Sequence, residues 1–170
     1  MYLIKTKRLL LSNLKESEKI SLKSMLKDSS VMRYLLTDKP MSSEEVDVFI
    51  EEKFMKQNDN IGLGSICNLA TNNFVGFAGI IPCKYVGTKY FEFGFAFQKV
   101  SWNKGYATEI GRAQIRYAFE NLNINRLFAL AHPHNITSNK VLIKLGMKVL
   151  RNIETKEGNE RILYCIEHYT

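Results

Sequence analysis

The segment Tyr90–Phe97, YFEFGFAF, is the strongest constraint on the fold of this chain. Phenylalanine stands at positions 91, 93, 95 and 97, and a period of two puts all four rings on one face of a β-strand. Four aromatic rings on one face require an apolar layer behind it. Tyr90, Glu92, Gly94 and Ala96 point the other way. That face is small and polar, so it leaves room beside the sheet for something other than a side chain.

A glycine-containing loop and a helix follow directly: SWNKGYATEIGR, Ser101–Arg112. At helical spacing Ala107, Gly111, Ile115, Ala118, Phe119 and Leu122 share one face, and Glu109, Arg112, Arg116 and Glu120 share the opposite one. The helix therefore packs on the sheet, with Gly111 allowing close approach. Its free first-turn N–H groups and the positive end of its dipole form an anion site. Gly105 removes the side chain that would keep an oxygen from the backbone, and Lys104 adds charge. The residues fit an ordinary helix start equally well. Neither GxxxxGK[ST] nor GxGxxG occurs, which excludes nucleoside triphosphate and dinucleotide loops of those types.

Around this centre the pattern alternates. Lys7–Leu14 reads as a strand and Lys15–Leu26 as a helix. Ser42 and Glu45 form a capping box with Met41 and Val46 as its hydrophobic staple, ahead of Val46, Phe49, Ile50 and Phe54 at helical spacing. Gly62–Ala70 and Phe74–Ile81 form a hairpin, Arg126–His132 a strand, Ile136–Leu145 a helix ended by Gly146, and Ile162–His168 a late strand. The expectation is an α/β (α+β) fold, a mixed sheet with helices on its faces.

The 170 residues suit one domain spanning 1–170. No apolar run approaches the roughly 18–20 residues of a membrane span, and the first residues are no secretory signal, so a cytoplasmic protein is expected. Three isolated cysteines, Cys67, Cys83 and Cys165, point to free buried thiols, and no ligand set for a metal is present. A net charge of +7 favours an anionic partner. Lys15, Lys19, Lys23 and Lys27 would form a basic stripe on a helix, either a solvated face or a docking face, and with the net charge are the sole argument for nucleic acid.

Two segments carry a family resemblance. WNKGYATE resembles the acyl-CoA pyrophosphate loop of the GCN5-related N-acetyltransferases (GNAT), in the branch of the RimJ/RimL ribosomal-protein N-terminal acetyltransferases. NITSNKVLIKLGM, Asn135–Met147, is similar to that branch's NxxSxxxxxKxGF segment, and EFGFAF and FVGFAGI stand where the family has them. The resemblance implies a GNAT acyl-CoA N-acyltransferase fold. Its sheet is mostly antiparallel, of about seven strands splayed between the fourth and fifth, with about four helices. It implies acetyl-CoA as co-substrate, its pantetheine against the backbone of Phe95, Ala96 and Phe97 and its pyrophosphate on the amides of Asn103, Lys104, Gly105, Tyr106, Ala107 and Thr108. Asn135 and Lys140 would lie along the cofactor.

The implied reaction is direct attack of a primary amine (a protein N-terminus, a lysine or a small molecule) on the acetyl thioester. It requires a base, and Glu92 on the small-residue face is the candidate, with His132 as the alternative. A paired strand carboxylate and a structural histidine are their plain readings. Many members carry a tyrosine four residues before the last glycine; Leu142 stands there instead. Ser138, one turn earlier on the same face, takes the acid's place by resemblance, although it can also bond its own backbone. Asn135 reads equally as a helix N-cap. A non-catalytic CoA-binding module of the same fold is the second reading. Monomer and homodimer both remain open.

Overall fold

The computed structural model describes residues 3–55, 61–87, 89–156 and 158–168. One sheet contains β1 (Leu3–Lys5), β2 (Leu9–Ser12), β3 (Gly62–Asn68), β4 (Phe74–Pro82), β5 (Phe91–Phe97), β6 (Arg126–Ala131), β7 (Lys148–Glu154) and β8 (Glu160–Glu167). Their spatial order is β1-β2-β3-β4-β5-β6-β8-β7. Every neighbouring pair is antiparallel except β5 and β6. The helices are α1 (Lys19–Lys27), α2 (Ser29–Met32), α3 (Ser43–Ile50), α4 (Tyr106–Glu120) and α5 (Ile136–Lys144). The sheet thus has one strand more than the resemblance implied, and the splay falls at β5 and β6, the fourth and fifth strands legible in the sequence.

The two sheet faces carry separate cores. On one, Leu22, Leu26, Val46, Ile50 and Phe54 pack against Phe77 and Ala96. On the other, Ile115, Ala118, Leu142 and Leu145 meet Phe93 and Tyr164. The phenylalanine face of β5 therefore looks toward α4, and the Glu92 face looks the other way. Phe93 and Phe97 are buried, whereas Phe91 and Phe95 are only half-buried.

Local signals set the helix ends. Ser42 Oγ accepts from Glu45 N (3.2 Å) while Ser42 N donates to Glu45 Oε2 (2.7 Å), and Met41 joins the cluster holding Val46. Gly146 ends α5 with φ +88°. At Gly111 an added Cβ would lie 2.5 Å from Leu145 Cδ1, so α4 and α5 touch there through the missing side chain. The inward stripe of α4 runs through Tyr106, Ile110, Gly111, Gln114, Ile115 and Ala118, one position round from the expected face. Glu109 leaves the solvent face as a result, and Gln114 becomes a fully buried polar residue.

The lysine stripe is absorbed structurally. Lys19 pairs with Glu16 (2.7 Å), Lys23 with Asp47 (2.5 Å), and Lys27 Nζ donates to Ser43 Oγ (2.8 Å). The last two contacts tie α1 to α3. The three cysteines are free and buried.

A deeper ion pair pins the segment between α2 and α3. Arg161, 5% exposed on β8, holds both Asp38 oxygens (2.7 and 2.9 Å) and donates to the Leu36 carbonyl (2.8 Å). Leu36 and Asp38 have φ values of +55° and +61°, so the pairing sustains a backbone that side-chain-bearing residues resist. Asp38→Ala strands a buried guanidinium, and chemical denaturation should show a loss of about 3 kcal/mol.

Candidate active site

Strands β5 and β6 pair at only two positions, Phe91 with Leu127 and Glu92 with Phe128. Beyond them β5 continues to Phe97 paired with β4 alone, and β6 continues to Ala131 paired with β8 alone. The sheet opens as a wedge whose closed end is the Glu92–Phe128 rung. Cys83 N donates to Tyr90 O and Gln98 N donates to Val75 O, so even-numbered residues of β5 turn their peptide groups toward β4. Phe93, Phe95 and Phe97 consequently turn theirs into the wedge. An extended group with amides of its own can pair there as an added strand. One of these groups is already occupied, because the Trp102 indole donates to Phe97 O at 2.8 Å. On the wedge strand, a Cβ built on Gly94 would meet nothing within 4 Å.

The open end of the wedge is finished by the loop before α4. The amides of Asn103, Lys104, Gly105, Tyr106, Ala107 and Thr108 have no hydrogen-bond partner among the described residues. Asn103 (φ +60°) and Gly105 (φ +75°) adopt left-handed backbone on either side of Lys104. Alternation of that kind gathers successive N–H groups into an anion-binding concavity, aided here by the α4 dipole. Lys104 is exposed, so its ammonium is available at the rim.

At the closed end, Glu92 Oε2 is buried without a hydrogen-bond partner. Burial raises the carboxyl pKa, against the opposing effects of the Cys83 thiol, Lys84 and Lys53. The Cys83 thiol bonds the carboxylate and is itself pushed up to about 12, chiefly by burial. A carboxyl whose pKa is raised is a stronger proton acceptor than an ordinary one.

His132 is differently committed. Its Nδ1 accepts from His134 N (3.0 Å), and its Nε2 lies 3.9 Å from Asp38 Oδ2. Its ring stacks 4.8 Å from Tyr34. Burial, with the nearby Arg161 and His134, lowers its pKa against the pull of Asp38. The neutral ring then carries its proton on Nε2, and its one lone pair is in use.

On the β6 side, Asn135 Oδ1 accepts from Ser138 N (3.1 Å), the N-cap of α5. Its side-chain NH₂ is left for other partners. Ser138 is half-buried above Leu142 on the same face, and its hydroxyl bonds no described residue. Lys140 is exposed. Asn139 has no sequence signal, yet it fixes the turn after β6: its Nδ2 donates to the carbonyls of His132, Pro133 and Asn135 (3.1, 3.2 and 2.9 Å). Tyr164 OH donates to Asn139 Oδ1 at 2.7 Å. Glu92 and Ser138 stand on different elements, β5 and α5, and no hydrogen bond joins them among the described residues. Trp102, Cys83, Gln114 and Arg8 complete the surroundings. Of these only Trp102, inside the WNKGYATE match, has a sequence signal as part of a site.

Comparison with known proteins agrees with this geometry. Residues 8–148 match the family model described as the acetyltransferase (GNAT) domain. The chain belongs to the GNAT acetyltransferase family. It is 30% identical over 145 residues to the uncharacterized N-acetyltransferase YnaD of Bacillus subtilis, covering 85% of this chain and 82% of YnaD. A GNAT-family acetyltransferase from Bacillus anthracis superposes with a TM-score of 0.81 at 25% identity, covering 97% of this chain and 98% of that one. RimL, a ribosomal L7/L12 alpha-N-protein acetyltransferase solved in complex with coenzyme A, superposes with a TM-score of 0.77 at 14% identity, covering 97% of each chain. At that identity the likeness to RimL is one of fold. GNAT acetyltransferases use acetyl-CoA, and the wedge with its free amides, the open space at Gly94 and the buried carboxyl fits that co-substrate. No helix among the described residues is long and apolar enough to cross a membrane, and no group of metal-ligating side chains occurs among them.

The raised Glu92 pKa has a definite consequence for stability. Below the ordinary carboxylate range Glu92 is neutral in folded and unfolded chains alike. As pH rises past its unfolded value, the unfolded chain ionises freely and the folded one resists. Stability is therefore lost until pH passes the raised folded value. Urea titrations of the wild type and Glu92→Gln at pH 4 and pH 8 should show the variant gaining relative stability at the higher pH.

Proposed function

We propose that the protein acetylates a primary amine with acetyl-CoA, Glu92 serving as base and Ser138 as acid. The observation that carries this reading is the wedge: six free amides at its open end and, at its closed end, a buried carboxyl with one oxygen unpartnered. The bound thioester supplies an activated acetyl group. The loop amides of residues 103–108 with Lys104 hold the phosphates, and the free peptide groups of Phe95 with the Phe97 amide orient the arm alongside Ala96. Glu92 accepts the ammonium proton at its carboxylate, through water, so that the amine attacks as the neutral form. Ser138 Oγ holds the proton delivered to the departing sulfur. Asn135 and Lys140 lie further along the cofactor.

Glu92 is preferred to His132 because both histidine nitrogens are engaged, Nδ1 by a backbone amide and Nε2 toward Asp38. The acceptor can be a protein N-terminus, a lysine or a small amine. Of the acidic residues Asp38, Glu44, Glu45, Asp47, Glu51 and Glu52, which could attract a cationic acceptor, Asp38 is paired with Arg161 and Asp47 with Lys23, so those two have less to offer it. A non-catalytic CoA-binding module would share the wedge and the loop but show no turnover.

Acetyl-CoA at roughly 100 times its dissociation constant should stabilise the protein by about 2.7 kcal/mol, read as an upward shift in Tm. Following CoA release over a panel of amines and peptides, Glu92→Gln should lower kcat by about 10²–10⁴-fold. Ser138→Ala should lower it without altering the thermal shift. Turnover unchanged in Glu92→Gln removes the assigned base, and binding with no turnover on any amine favours the non-catalytic module.

A further inference from the structure

Arg8 lies in the turn between β1 and β2 and reaches across 96 residues of sequence to the loop before α4. Its Nη1 donates to the Lys104 carbonyl at 2.8 Å, and its Nε pairs with Glu109 Oε2 at 2.7 Å. Its backbone N donates to Glu109 Oε1 at 2.8 Å, which also accepts from Thr6 Oγ1 at 2.6 Å. The guanidinium lies over the Tyr106 ring, 4.8 Å from its centroid. Tyr106 is held from behind by Asn68 Nδ2, 2.8 Å from its hydroxyl. One side chain thus contacts the residue before Gly105, the residue after it, and the acid of the first helical turn.

We propose that Arg8 is a positioning residue for the phosphate-binding loop, an inference that rests on the reading of residues 103–108 as that loop. In a trans peptide the C=O and the following N–H point in opposite directions. Arg8 holds the Lys104 carbonyl on its own side and thereby turns the Gly105 N–H away from itself, toward the ligand side. The same guanidinium neutralises Glu109, whose carboxylate would otherwise repel an anion at the start of α4. Arg8 Nη2 bonds no described residue and lies 3.5 Å from where a Gly105 Cβ would stand, an ordinary contact distance, so it is the left-handed backbone (φ +75°) that calls for glycine at 105. Lysine cannot replace this arrangement, because a single ammonium lacks the planar fork that serves Lys104 O and Glu109 together.

The test is titration of full-length wild type, Arg8→Ala, Arg8→Lys and Glu109→Gln with CoA and with pantetheine, which lacks the phosphates. Arg8→Ala should weaken CoA binding about tenfold and leave pantetheine binding unchanged. Arg8→Lys should not restore CoA affinity, and Glu109→Gln, which frees the anchored end of the guanidinium, should weaken it by a smaller factor because the lost negative charge partly offsets the lost anchor. Wild-type affinity for CoA in Arg8→Ala overturns the proposal, as does equal loss of both ligands or full rescue by lysine. Failure of the wild type itself to bind CoA overturns the cofactor reading, and this proposal falls with it.

Discussion

The structure depends on a pairing that stops. Parallel strands β5 and β6 share two register positions and then diverge, although each continues for several residues. Unpaired peptide groups in the middle of a sheet are costly unless water or a ligand meets them. The surroundings hold the strands apart: β4 and β8 take the outer edges, α4 covers the phenylalanine face, and Asn139 with Tyr164 fixes the turn that follows β6. The gap is therefore a product of well-satisfied neighbours. Its chemistry follows from position, with a buried carboxyl at the last paired rung and a loop of free amides at the opposite end.

The loop proposed to hold the phosphates shows how far such a site draws on the rest of the chain. Its left-handed residues, Asn103 and Gly105, set the curvature locally. Its orientation comes from the first turn of the chain through Arg8 and Thr6, and from β3 through Asn68. Trp102 binds the loop back to the end of β5. The turn after β1, strand β3 and the end of β5 converge on the loop before α4, and the sheet order β1-β2-β3-β4-β5 brings them there.

Much of this is legible in the amino-acid sequence. The alternation in Tyr90–Phe97, the capping box at Ser42 and the glycine after α5 act within a few residues, and short-range periodicity reports them faithfully. The edge strand β7 escapes such a reading because nearly all its residues are exposed and it has no alternating pattern to detect. Periodicity places the face of α4 one position off because Gln114, a polar residue, is buried beneath β5 with its Nε2 on the Gly94 carbonyl. Arg8 leaves no signal because its hydrogen bonds reach about a hundred residues along the chain, and Cys83 and Asn139 because their bonds form across irregular turns that no helix or strand period encodes. The basic stripe suggests a partner outside the chain. Folding uses it for ties within the chain, joining α1 to α3.

The central claim is that the wedge between β5 and β6 receives an extended arm whose phosphates rest on the loop before α4. Hydrogen exchange of individual amides with and without CoA tests it most directly, because it reads the same N–H groups the claim assigns. The account predicts slowed exchange at Phe95 and across Asn103–Thr108, with the outer-edge amides of β7 unchanged. CoA binding that leaves Phe95 and the 103–108 amides exchanging as in the free protein would contradict it.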